Sequence, residues 1–203
     1  MSAARLATAA DVPQLARALA RAFADDPVAA WSCPPASLRP YVLERFHGAR
    51  LRQLLDRGEV WTTDELASAA LWAQPGEWKT TAREDLELAS ALFQRRSLAR
   101  PSVLMRSPMV GIGLTSVERK HPAQPQHWYL AVVGTDPAAQ GRGLGSKVLS
   151  PILEQCDRDG VAAYLESSKE TNLDYYARHG FRVTQEHRLP RGPTVWAMWR
   201  DPA

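Results

Sequence analysis

The apolar positions of this chain change period several times, and each change marks an element. Val12, Leu15, Ala16, Leu19, Ala22 and Phe23 recur at helical spacing. Asp11 stands at the expected N-cap, Pro13 sits just inside the helix, and Asp25-Asp26-Pro27 closes it. A second helix is predicted over 36–58, with Leu38, Tyr41, Val42, Phe46, Leu51, Leu54 and Leu55 inward and Gly58 as its stop. Residues 4–8 read as a short edge strand. "EVWTT" and "ASAALWA" read as two strands joined by a turn at Asp64 and Glu65. "HWYLAVV" is apolar throughout and is expected to be central.

Beyond it, Leu144, Val148, Leu149, Ile152, Leu153 and Cys156 define another helix, in which Pro151 should remove a backbone hydrogen bond and cause a kink. "VAAYLESS", "FRVTQEHRL" and "TVWAMWR" read as strands, and "NLDYYARHG" as a short helix closed by Gly180. The stretch before "HWYLAVV" is less regular. "TAREDLELASALFQRR" predicts a helix with Ala82, Leu86, Ala89 and Phe93 on one side. Pro101 and Pro108 interrupt the chain after it, and a further helix is expected over 109–119. The order is β-α-α-β-β-(α)-β-α-β-α-β-β, an α/β (α+β) arrangement around a mixed sheet.

Composition narrows the picture. At 203 residues and 45% hydrophobic, the chain fits one domain over 1–203, with a variable helical insertion at 75–120. A net charge of +3, without any basic block, excludes a nucleic-acid footprint. Cys33 and Cys156 match no metal spacing, and Cys156 falls on an apolar helix face, so no metal site and no disulfide are expected. No apolar run reaches membrane-span length and the first residues lack a signal-peptide core; the expectation is a soluble cytoplasmic protein without a membrane partner, monomer or homodimer.

The chemistry-bearing stretch is "VVGTDPAAQGRGLGSKVL", where a strand ends and a helix begins. Gly141, Gly143 and Gly145 alternate with Arg142 and Leu144, between Gln140 and Ser146. Amides at a helix start lack partners within the helix, and a glycine-rich approach lets an anion come close to them. The spacing is neither Gly-x-Gly-x-x-Gly nor the Gly-Lys-Ser/Thr ending of a P-loop. From the glycines alone, a phosphate site and a structural turn stand level.

The whole string resembles the Q/R-x-x-G-x-G/A signature of the GNAT acetyltransferase superfamily. "NLDYYARHGF" resembles that family's N-x-x-x-Y-x-x-x-G-F element, placing Asn172, Tyr176, Gly180 and Phe181. "RLATAADVPQLARALARAFADDP", "EVWTTDELASAALW" and the closing "GPTVWAMWR" are similar to the puromycin N-acetyltransferase group within it. The resemblance implies a GNAT fold of about seven strands, with a helical insertion between the third and fourth. It implies acetyl-CoA as co-substrate, with the amides of Gln140, Gly141, Arg142, Gly143, Leu144, Gly145 and Ser146 holding the pyrophosphate. Exposed backbone at Val132 and Val133 would take the pantetheine arm, and Asn172 would contact it or simply cap its helix.

The resemblance also makes Tyr176 the general acid, with Tyr175 as its substitute and plain packing as the alternative. Glu166 shares a strand face with Ala162 and Tyr164 and is the candidate base or amine-orienting group. Neutralising an α-amino group at pH 7 costs about 1 kcal/mol, against roughly 4.6 kcal/mol for a lysine. A single visible carboxylate therefore suits a low-pKa amine, such as an aminonucleoside of the puromycin kind. The acceptor site is expected to draw on Phe23, Asp25, Asp26, Trp31, Trp72, Tyr129, Tyr164 and Trp196 beside Glu166. Acetylation of a protein N-terminus or lysine, and a non-catalytic CoA sensor, are the competing functions. The histidines form no ligand pattern and receive no role, although His179 stands where the family element is often apolar.

Overall fold

The computed structural model describes residues 3–92 and 101–203. The described strands form one sheet of seven in the order β1-β2-β3-β4-β5-β7-β6. They are β1 (Ala4–Leu6), β2 (Gly58–Thr63), β3 (Ser68–Ala73), β4 (His127–Thr135), β5 (Ala162–Ser167), β6 (Arg182–Arg188) and β7 (Thr194–Arg200). All neighbours pair antiparallel except β4 and β5, which run parallel.

The described helices are α1 (Val12–Ala22), α2 (Pro27–Ser32), α3 (Arg39–Arg57), α4 (Ala82–Leu92), α5 (Pro101–Glu118), α6 (Leu144–Asp159) and α7 (Leu173–Ala177). Strand β3 is buried on both faces, which explains its unbroken apolar run. Ala69, Leu71 and Ala73 meet Leu15, Leu19, Leu51 and Leu54 of α1 and α3. Ala70 and Trp72 point the other way, into a core with Val148, Leu149, Ile152 and Cys156 of α6. Gly134 lets α1 come close: a Cβ there would lie 2.9 Å from Leu19 Cδ2 and 3.0 Å from Phe23 Cε2.

Several local expectations change. Asp11 does not cap α1 through its side chain. Its carboxylate accepts from the Thr8 amide at 2.8 Å and from Arg5 at 2.9 Å, and a 3-10 turn over Ala9–Asp11 precedes the helix. Helix α1 ends at Ala22, and Asp26 opens the unexpected α2 by accepting the Ala29 amide at 2.9 Å. In α3, Tyr41 is exposed rather than inward. In α4, Leu86 is exposed and Glu84 is buried, because Arg57 of α3 donates to the Glu84 carboxylate at 2.8 Å. The inward face of α4 is therefore partly polar, and hydrophobic periodicity mis-phases it. Phe93 lies outside the described residues. Pro108 does not break α5, which runs through it.

The parallel pair sets up the site. β4 and β5 are in register only from His127↔Ala162 to Leu130↔Leu165. On its other edge β4 stays paired with β3 as far as Thr135, with a register shift that leaves Ala131 as an extra residue. Such a bulge bends a strand and increases its twist. Residues 131–135 thus part from β5 and open a wedge in the sheet.

Candidate active site

The wedge joins two hollows. On the α6 side, a groove of about 490 Å³ is lined by Val133, Gly134, Gln140, Gly141, Gly143, Leu144, Gly145, Ser146, Asn172, Tyr175 and Tyr176. On the α3 side, a chamber of about 380 Å³ is lined by Phe23, Asp26, Phe46, His47, Arg50, Trp78, His121, Tyr129, Val132 and Glu166, with further apolar residues. Phe23 and Asp26 line both, so the hollows meet at the end of α1.

The groove is built by the turn. Gly141 and Gly143 hold φ of +76° and +73°, and a Cβ at either would meet nothing within 4 Å. Their glycine character answers to backbone conformation, since L-residues resist the left-handed region. Gly145 differs: a Cβ there would lie 2.8 Å from Tyr175 Oη. The first amides of α6 have no partners one turn back, so the open turn presents donors and the positive helix end to the groove. Val132 lines the chamber and Val133 the groove, and both stand on the stretch that β5 has left. This geometry fits an extended ligand with a phosphate group, along a strand edge and over a helix start.

Gln140 donates to the Thr135 carbonyl at 3.2 Å, bracing the turn. Arg142 reaches out to Glu65 at 3.7 Å and does not line the groove. Ser146 Oγ lies 3.0 Å from His179 Nε2, which gives the polar residue at 179 a partner. Asn172 stands at the start of α7 without a side-chain cap bond. Tyr176 is buried, and desolvation first, then Tyr175 and Asp26, raise its phenol above the usual value. It therefore keeps its proton beside the groove.

The chamber contains a chain of titratable groups. Tyr129 Oη donates to Glu166 Oε2 at 2.8 Å, and His121 Nδ1 lies 3.5 Å from Glu166 Oε1. His121 Nε2 lies 3.0 Å from His127 Nε2, and His127 Nδ1 lies 2.8 Å from the Pro125 carbonyl oxygen. That carbonyl only accepts, so His127 carries hydrogen on Nδ1. Burial lowers the His127 pKa and favours the neutral ring, leaving a lone pair on Nε2. His121 Nε2 must then donate. His121 Nδ1 is thereby left facing the Glu166 carboxylate across 3.5 Å. His121 is fixed further by stacking on Trp78, with centroids 3.8 Å apart.

The expected acceptor residues divide. Phe23, Asp26, Tyr129 and Glu166 line the chamber. Trp72 does not: strand alternation turns it toward α6, where it is fully buried in the core. Trp31 packs with Val110, Leu189 and Val195 behind the chamber. Tyr164 is buried edge-on to His121, centroids 4.6 Å apart, and supports that ring without lining the space. Asp25 and Trp196 line a separate shallow groove, where Asp25 pairs with Lys169 at 2.5 Å. Asp26 is anchored in turn by a hydrogen bond from Ser168.

Sequence reasoning missed His47, Arg50, Trp78 and His121. His47 and Arg50 stand three apart on the apolar face of α3, a signal that was available. Nothing in the sequence brings His121 to Glu166. Among the described residues no cluster of His, Cys, Asp or Glu could hold a metal, and no helix is long and apolar enough to cross a membrane.

The profile of the acetyltransferase (GNAT) family matches residues 63–181. An uncharacterised N-acetyltransferase of Schizosaccharomyces pombe is 28% identical over 93% of this chain and 78% of its own. A mycothiol acetyltransferase of Brachybacterium faecium is 27% identical over 75% of this chain and 44% of its own. The N-alpha-acetyltransferase RimI of Mycobacterium tuberculosis is 34% identical over 52% of this chain and 71% of its own. In fold, the chain resembles a crystal structure from Corynebacterium glutamicum described as histone acetyltransferase HPA2 and related acetyltransferase. The TM-score is 0.69 at 24% identity, covering 100% of this chain and 97% of that one.

Proposed function

This chain belongs to the GNAT acetyltransferase family, and on that premise we propose that it moves the acetyl group of acetyl-CoA to a primary amine of a small molecule. The observation that carries the reading is the meeting of the two hollows at Phe23 and Asp26, with Tyr176 on the groove side and Glu166 in the chamber. The family uses acetyl-CoA, which when bound supplies an activated thioester.

The chain's own residues do the rest. The amides from Gly141 to Ser146 hold the pyrophosphate, the free edge at 131–135 orients the arm, and Asn172 flanks it. Tyr176, kept protonated by burial, offers a proton where the thiolate leaves. Glu166 takes the amine's proton, and His121 shares that charge across the 3.5 Å gap. Tyr129 holds the Glu166 carboxylate in place.

The chain is read as one catalytic domain in which the two ends of the 75–120 insertion close over the chamber, since Trp78, Lys79, Thr80, Val117 and Glu118 all line it. A roofed space of about 380 Å³ suits a small acceptor rather than a polypeptide. An aminonucleoside such as puromycin is the acceptor that the sequence resemblance brings forward, and none of the relatives named above is a puromycin acetyltransferase.

The test is thiol release from acetyl-CoA with a panel of puromycin, aminoglycosides, free amino acids, simple amines and peptides. The expected result is release with a small amine that falls sharply in Tyr176→Phe. Turnover confined to peptides, or coenzyme binding with no turnover on any amine, overturns the reading.

A further inference from the structure

Helix α3 turns two polar side chains into an otherwise apolar wall of the chamber, whose assignment as the acceptor site underlies the inference drawn from them. His47 and Arg50 are three residues apart, hence on one face, and are only 2% and 7% exposed. Arg50 Nη1 donates to Gln53 Oε1 at 3.2 Å. That is its one hydrogen bond among the described residues, and none of their carboxylates lies within ion-pair distance. A guanidinium has five N–H donors in a planar fork suited to two oxygens of an anion. Such a group is rarely buried unless paired.

His47 adds an independent observation. Neither ring nitrogen has a hydrogen-bond partner among the described residues. The ring lies between Phe23 and Phe46, at centroid distances of 4.8 and 5.4 Å. His47 and Arg50 both line the chamber that also holds Glu166 and His121. A buried cation short of acceptors, with an unpartnered imidazole on the same helix face, describes half of an anion site.

We propose that the acceptor carries a carboxylate, which Arg50 receives with His47 beside it, while its amine meets Glu166. Tyr129, whose hydroxyl donates to Glu166, lines the same chamber as Arg50. The amine and the anion therefore face one chamber of about 380 Å³. Phe23, Phe46, Val42 and Trp78 supply apolar wall, and Asp26, Lys79, Thr80 and Glu118 are further polar members of the lining. The substrate class is a small hydrophobic amino acid. Puromycin, which has an amine but no carboxylate, falls outside it.

The experiment pairs acceptors that differ only in the anion: phenylalanine against phenethylamine, methionine against 3-(methylthio)propylamine, with puromycin alongside. Thiol release is measured with wild type, Arg50→Met and Arg50→Lys. Calorimetry with N-acetylphenylalanine and its neutral amide reads the same pocket without turnover.

The acids are expected to exceed the amines at least tenfold in kcat/KM. Arg50→Met should erase that preference mainly by raising KM, and Arg50→Lys should restore part of it. N-acetylphenylalanine should bind wild type at least tenfold tighter than its amide, and that gap should close in Arg50→Met while its melting temperature stays near wild type.

Amines or puromycin turning over as well as the acids overturns this inference and leaves the acetyltransferase reading standing. So does equal loss on acids and amines in Arg50→Met, or failure of both N-acetyl compounds to bind. Absence of coenzyme binding, by contrast, overturns the acetyltransferase reading; the N-acetylphenylalanine comparison still decides the anion site by itself.

Discussion

At the scale of single residues, the site depends on two glycines for conformation and on a few polar groups for proton handling. Gly143 holds φ +73° with open space around it. Gly143→Ala should therefore cost about 1–2 kcal/mol of turn geometry, visible as weaker coenzyme binding in calorimetry with an unchanged far-UV spectrum. In the proposed reaction His121, 3.5 Å from Glu166, shares the charge of the proton that Glu166 receives. His121→Gln should lower kcat/KM about 100-fold at pH 7, and the deficit should shrink as pH rises past the amine's own pKa, because a neutral amine needs no base. A pH–rate profile on both proteins checks this. His47 is held neutral, its pKa pushed down to about 3 by burial. An unfolded histidine titrates near about 6.5, so this stabilisation is full above that pH and is lost as pH falls toward about 3. Urea unfolding at stepped pH should show a steeper acid decline in wild type than in His47→Leu.

At the scale of elements, packing places these residues, and packing decides how much the sequence could reveal. Gly134 sits under the end of α1, and a larger side chain there would collide with Leu19 and Phe23. Gly134→Val should destabilise the protein by about 1–3 kcal/mol, measured by chemical denaturation, and should displace Phe23 from the junction of the hollows. Strands β2 to β5 and helices α1, α3 and α6 were legible because a regular apolar set anchors each in the core, even where buried polar residues such as Thr62, His47 and Arg50 interrupt it. The glycines of the turn at 141–145 left a phosphate site and a structural turn level, and the turn was legible only through the family resemblance of the whole string around them. The acceptor wall was not. Trp72 and Trp31 look like pocket aromatics in one dimension, yet strand alternation and the α5 contact send them to the core. Leu86 and Glu84 exchange roles because an ion pair between helices, absent from any local pattern, turns α4. His121 reaches Glu166 from outside any described helix or strand, so no periodicity could announce it.

At the scale of the whole molecule, the sheet divides the labour. Its α6 face keeps the turn and Tyr176, while its α3 face and residues 78–80 and 117–118 shape the chamber. The family profile spans 63–181 and so takes in the turn, Tyr176 and chamber residues such as Trp78 and Glu166, while α1, α2 and all of α3 lie before it. The seam between β4 and β5 is only half closed. A coenzyme lying along 131–135 would act as the absent rung of the ladder, knitting together two halves that the apoprotein joins by a short register. Saturating acetyl-CoA should then raise the melting temperature, by an amount growing with the logarithm of its concentration, and slow amide exchange at 131–135 more than at β6. Loading the coenzyme would in that sense finish the folding of the sheet, and the enzyme's heat resistance would track the metabolic supply of its own acyl donor.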